Sequence, residues 1–285
     1  MSMTSDLDMV PTQTLFVSEA LREFPDTAGA LSTACRDAGV DLRVLPGTSR
    51  NPWVRDHLPV IRADGTLVQF RYWPDYLVRS RKYRRMLVEP LDLGPVLPGR
   101  TVLHSELIVD GGNVVLGKDY AVLTRKVFRE NPHRRRSQVE NELRELLQVV
   151  RLVWIPEDPH DFTGHADGLV AVLDGNTVLV PDLSRTDPAL GKRLRRALRL
   201  GGPEPVPVTH AHTALGSADS AVGNYVNLVD LGTHLLVPQY GIPADAAAHE
   251  RLATLHPRKV VTGIPCRALG RLGGAVHCAT WGPVH

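Results

Sequence analysis

The chain has few cysteines: only Cys35, Cys266 and Cys278 among 285 residues, with no CxxC pair. An odd, scattered set argues against a disulfide framework or a thiol-rich zinc site and suits a reducing compartment. Long apolar runs are missing too. No stretch could span a bilayer, and the first ten residues lack the basic and apolar segments of a secretory signal. The expectation is a cytoplasmic protein with no membrane partner, a loose flexible tail over residues 1–9 and a single domain over 10–285. Excess charge of one sign is also absent: 33 Lys and Arg against 31 Asp and Glu leave a net charge of +2, too mild for a nucleic-acid partner. Two short basic runs, 79–85 and 133–136, suit solvated faces, with an anionic partner or the carboxylate end of a substrate as the alternative. No GxGxxG or Walker pattern surrounds Gly201-Gly202-Pro203, which argues for a linker turn rather than a phosphate loop.

What the chain does have is a faint internal repeat. Four segments open on polar residues, run into an apolar or alternating strand, turn at glycine and return as a second strand. They begin at Arg55-Asp56, Asp110-Gly111-Gly112-Asn113, His165-Ala166-Asp167 and Asn224-Tyr225-Val226-Asn227. Their turns fall at Asp64-Gly65, Gly117-Lys118, Asp174-Gly175 and near Gly232. The openings recur about every 55 residues, and one more step arrives near Cys278. Helical patterns over 18–24, 27–38, 137–149, 188–200 and 244–255 lie between the hairpins. Short strands are expected after them, at 42–45, 152–155, 205–208 and 259–262. A cyclic arrangement of such units would gather the openings at one axis; an ordinary α/β sheet with recurrent Gly-rich hairpins is the alternative.

Gathered together, the openings supply one thiol, one imidazole and several carboxylates. Cys278 follows Gly273-Gly274, where backbone and substrate can approach closely. Alone, such a thiol is more often a small buried hydrophobe than a nucleophile. In an extended segment His165 and Asp167 would share a face, although a satisfied histidine beside a turn-capping Asp is an equal alternative. Asp56 follows Arg55, and adjacent residues pair poorly, so another partner is expected for at least one of them. Turn chemistry alone could explain Asp110. In an extended strand His277 would face away from Cys278, which suits a supporting role. His210, His212 and Asp219 fit a solvated loop better than a metal site. Carboxylates around a thiol suppress the thiolate unless the substrate is itself a cation. A planar guanidinium fits, because its forked donors match carboxylates and its central carbon is electrophilic.

The motifs Trp53-x-Arg55-Asp56, Asp110-Gly-Gly-Asn113, Gly164-His165-x-Asp167, Asn224-Tyr-Val-Asn227 and Gly273-Gly274-x-x-His277-Cys278 run in order over most of the chain. Together they resemble the agmatine deiminase and bacterial (Porphyromonas-type) peptidylarginine deiminase family of the guanidine-modifying superfamily. The resemblance implies an α/β fold, the five-bladed propeller called a pentein, with no metal or organic cofactor. It implies that Cys278 is the nucleophile, His165 the general acid and base, and Asp56 and Asp167 the carboxylates that grip the guanidinium. Asp110 and Asn227 match polar positions at the site, and Trp53 would line the substrate channel. The activity implied is hydrolysis of a guanidino group to a ureido product and ammonia. Agmatine is favoured among small cationic substrates, with peptidyl or free arginine, amidinotransfer and a non-catalytic binding propeller as the alternatives. Oligomeric state stays open. The chain is shorter than typical agmatine deiminases, and residues 279–285 are expected as a tail at the pocket mouth.

Overall fold

The strand patterns of the sequence resolve into five separate sheets of three strands each. The computed structural model describes residues 13–48, 50–174, 177–211 and 220–282. The expected tail over 1–9 and part of the Asp174-Gly175 turn lie outside them. Strand β1 (Thr14–Ser18) runs through helix α1 (Pro25–Asp37) to the parallel strand β2 (Asp41–Leu45). The next sheet contains β3 (Val60–Ile61), β4 (Leu67–Arg71) and β5 (Val102–Ile108), preceded by the single turn α2 (Val54–His57) and interrupted by another, α3 (Asp75–Val78). Strands β6 (Val115–Leu116) and β7 (Tyr120–Thr124) then lead through α4 (Lys126–Glu130) and α5 (Arg136–Leu147) to β8 (Arg151–Ile155). Strands β9 (Ala171–Asp174) and β10 (Thr177–Pro181) continue through α6 (Pro188–Gly201) to β11 (Glu204–Val208). Strands β12 (Val229–Asp230) and β13 (His234–Gln239) continue through α7 (Ala244–Leu255) to β14 (Val260–Pro265).

In these four sheets an antiparallel hairpin is extended by a parallel strand reached through a crossover. The local reasons are legible. Helix α6 starts at Pro188, with the Asp187 side chain accepting from the Leu190 amide at 2.9 Å, and it buries Leu190, Leu194 and Leu198 one turn apart. Helix α5 buries Val139, Leu143 and Leu147 in the same way. The fold is the α/β propeller of five blades that the family resemblance implies, and the cyclic arrangement rather than one ordinary sheet is realised.

The crossover of the β3–β4–β5 blade has no long helix; residues 72–101 hold only α3 and a 3-10 turn at Arg84–Met86. The fifth blade is built from both ends of the described chain. Strand β15 (Thr280–Trp281) pairs antiparallel with β1, Phe16 opposite Trp281 and Val17 opposite Thr280. Thr280 and Trp281 are therefore core residues, not a tail at the pocket mouth. A β-branched residue followed by an aromatic suits a buried pleat, but two residues are too short for a periodicity to register. Residues 283–285 lie outside the described part.

Trp281 packs on Phe16 with ring centroids 5.5 Å apart, and its indole N–H donates to the Pro59 carbonyl at 2.7 Å. Trp281→Ala is expected to lower stability by about 3–5 kcal/mol, measured by urea denaturation, because the cavity opens where the ring of blades closes.

Candidate active site

One turn from each blade reaches the centre, and each turn is tied to the next. The Gly111 Cα is pressed against the Arg55 carbonyl, where a side chain would collide. The Asp167 amide donates to the Gly112 carbonyl at 3.0 Å. Asn224 Nδ2 donates to the Gly168 carbonyl at 2.8 Å, and Asn227 Oδ1 accepts from the amides of Ala275 and Cys278 at 3.1 and 3.3 Å. The Arg55 amide closes the circle by donating to the Cys278 carbonyl at 3.3 Å. Chemistry-bearing side chains far apart in sequence are held together in this way.

Cys278, His165, Asp56, Asp110, Asp167 and Asn227 are all buried. All but Asp110 line one pocket, with Trp53 at its wall. The Cys278 thiol donates to Asp167 Oδ2 at 3.5 Å and accepts from Asn227 Nδ2 at 3.1 Å. His165 Nε2 lies 2.8 Å from Asp110 Oδ2, and the same oxygen accepts from Lys126 Nζ at 2.8 Å. A carboxylate beside an ammonium has no proton to offer, so Nε2 is the donor. The other ring nitrogen, Nδ1, lies 3.5 Å from Asp56 Oδ1. A Cβ on Gly112 would sit 2.5 Å from Asp56 Oδ1, 2.8 Å from His165 Nδ1 and 3.3 Å from Asp167 Oδ1. Only glycine leaves these three atoms room to converge.

Burial, then Asp167 and Asp56, push the Cys278 thiol well above its usual value, so it is protonated at neutral pH. Burial raises Asp56 to about 7, with His165 opposing and Asp167 and Asp110 adding. Burial works against a charged His165, but Asp56 and Asp110 overcome it and lift the imidazole to about 10. Burial and Arg55 hold His277 below its usual range. It is a neutral donor, and its 2.8 Å contact from Nδ1 to Asp167 Oδ2 is a hydrogen bond rather than an ion pair.

Residues 165–167 lie in a loop that enters a turn at Asp167, and 277–278 sit in a turn, so neither segment is an extended strand. His165 and Asp167 still reach one pocket. His277, which a strand would turn away from Cys278, shares with it the oxygen Asp167 Oδ2. Arg55 clasps the turn that carries Cys278 by donating from Nε to the His277 carbonyl at 2.9 Å. An aromatic wall was not legible. Tyr83 stacks on Phe162 at 5.6 Å, and Tyr76 meets Phe162 edge-on at 5.4 Å and the His165 ring at 5.8 Å. Tyr83 lies inside the basic run 79–85, whose arginines are exposed as expected. His210 lines the pocket, whereas His212 and Asp219 lie outside the described residues. Among the described residues no helix is long and apolar enough to cross a membrane.

The family model described as Porphyromonas-type peptidyl-arginine deiminase matches residues 11–282. Curated relatives include the agmatine deiminase of Pseudomonas savastanoi pv. phaseolicola, 26% identical with 93% of this chain and 84% of that protein covered. The putative agmatine deiminase of Streptococcus mutans is 23% identical, with 95% and 87% covered. Among solved structures, C. jejuni agmatine deiminase superposes with a TM-score of 0.76 at 14% identity, covering 96% of this chain and 94% of that one. The putative arginine deiminase of Porphyromonas gingivalis gives 0.74 at 20% identity, with 96% of each chain covered.

The electrostatics have a spectroscopic signature. His165 is expected to stay protonated through neutral pH and to lose its proton as pH rises through about 10, while His277 stays neutral near pH 7, both followed by 15N NMR of histidine-labelled protein. Because His165 titrates above its ordinary 6.5 in the folded protein, its ionic contribution to stability is full below about 6.5 and fades as pH rises through about 10.

Proposed function

The chain belongs to the Porphyromonas-type peptidyl-arginine deiminase family, and on that premise we propose that it hydrolyses the guanidino group of a small cationic substrate, agmatine foremost, to a ureido product and ammonia. One observation carries the reading: a buried thiol, a protonated imidazole and two carboxylates face a single pocket. Without a positive ligand this arrangement suppresses its own nucleophile. A guanidinium between Asp56 and Asp167 supplies the missing charge, draws both carboxylates into the ionised state and lets the thiol release its proton to solvent. Agmatine deiminases recur among the curated relatives, which favours agmatine within the guanidino class.

The thiolate then attacks the guanidinium carbon, forming a carbon–sulfur bond and a neutral tetrahedral adduct. His165 gives its Nδ1 proton to the departing nitrogen, the carbon–nitrogen bond breaks, and ammonia leaves a positively charged thiouronium on Cys278. Water adds to that carbon as neutral His165 takes its proton. The carbon–sulfur bond breaks, restoring the thiolate, and the oxygen gives up its remaining proton to leave the ureido product. Asn227, donating to the sulfur, supports the anionic form at both ends of the cycle.

Cys278→Ala is expected to cut ammonia release from agmatine by about 10³-fold or more, and undiminished turnover would sink the scheme. Gly112→Ala, which intrudes where Asp56, His165 and Asp167 converge, should lower kcat/KM by about 10²-fold with the fold retained by circular dichroism. A third expectation separates this electrostatics from ordinary thiol reactivity. At pH 7 the cationic chloroacetamidine should label Cys278 about tenfold or more faster than neutral iodoacetamide, read by mass spectrometry. Transfer of the amidino group to an added amine, in place of ammonia release, would redirect the reading to an amidinotransferase.

A further inference from the structure

Lys126, the first residue of α4, is wholly buried, and no sequence motif points to it. A lysine ammonium is rarely taken out of water without several partners. Lys126 has them: Asp110 Oδ2 at 2.8 Å, a close contact with Glu130 Oε1, Asp75 Oδ1 at 3.9 Å, and the Tyr76 ring with its centroid 5.3 Å away. Glu130 is itself buried, and it accepts from the Asp75 amide at 2.9 Å. The decisive feature is which oxygen the ammonium takes. Asp110 Oδ2 is also the acceptor for His165 Nε2, so a single carboxylate oxygen divides its charge between a lysine and the imidazole.

We propose that Lys126 is a positioning residue for His165: by sharing Asp110 Oδ2 it fixes the ring with Nδ1 toward the pocket and limits how tightly the imidazole holds its proton. This rests on the reading of His165 as the group that protonates departing ammonia. The charged and titratable groups around the imidazole are Asp56 from the α2 turn, Asp110 and Lys126 from the second opening and α4, and Asp161 and Asp167 from its own loop, with Tyr76 against its face. All but Lys126 and the tyrosine are carboxylates that favour the imidazolium, so the ammonium is the member of this set that opposes it. Without it, the unshared Asp110 would hold the imidazolium more firmly and make it a poorer acid.

The test uses Lys126→Met, which keeps the aliphatic stem, and Lys126→Met/Glu130→Gln, which also removes the buried carboxylate that would lose its partner. In whichever variant is folded, the His165 titration followed by 15N NMR should move up by about half a pH unit or more. On agmatine, kcat at neutral pH should fall by about tenfold or more while KM changes by less than about threefold. In an Asp110→Asn background the shift caused by Lys126→Met should shrink, because the part of its effect that runs through the shared oxygen is gone and only the direct repulsion between the two cations remains. An unmoved His165 titration in both variants would overturn the proposal, as would an equal shift in the Asp110→Asn background. The NMR readout needs no turnover, so it tests Lys126 even if agmatine is not hydrolysed; an inactive wild-type enzyme with a shifted titration would refute the substrate reading and leave the coupling standing.

Discussion

Three carboxylates, Asp56, Asp110 and Asp167, are held out of water around one imidazole, and the rest of the site follows from that burden. Buried like charges are unfavourable unless each finds a partner or a proton. The protein treats the three differently. Asp110 is given a lysine and the imidazole on Oδ2; Asp167 is given a histidine donor, a thiol and the nearby Arg55; Asp110 and Asp56 each keep Oδ1 without a hydrogen bond, and Asp56, with no cation as close as Lys126, is pushed up to about 7. The uneven treatment leaves carboxylate oxygens whose geometry suits a flat cation with several N–H groups, while burial, Asp167 and Asp56 keep the thiol protonated.

The blades exist to make this possible. No single strand–helix unit could bring Asp56, Asp110, His165, Asn227 and Cys278 within contact, because each is separated from the next by a complete blade. A closed circle of turns does so by backbone hydrogen bonds at the openings, with glycines where main chains touch or side chains converge. Rigidity at the centre therefore derives from the same repeat that produces the fold.

Much of this is legible in the sequence, and the boundary has physical reasons. The openings could be read because they are local: polar residues and glycines that interrupt apolar strands, at a spacing set by blade size. The carboxylates and the thiol carry their chemistry in their identity. Lys126 could not be read, since a lysine at the start of a helix normally faces solvent and only the crossing of α4 over Asp110 buries it. Tyr76, Tyr83 and Phe162 come from loops without periodicity, and their stacking depends on two blades meeting. Strand alternation points His277 away from Cys278, but the chain makes a turn there and both reach Asp167 Oδ2, and the two residues of β15 cannot show a period.

The joining of β1 to β15 links the order of assembly to reactivity. Cys278 stands two residues before the strand that seals the circle, and its turn is clasped by Arg55 from the blade beside that seal. Closing so long a loop is among the slower events open to a folding chain. In an unfolded chain the cysteine lacks its asparagine, its aspartate and its pocket and ionises like any other thiol, whereas in the closed ring burial, Asp167 and Asp56 hold it protonated. Completion of the ring is thus also the step at which this cysteine leaves the pool of ordinary, readily ionised thiols.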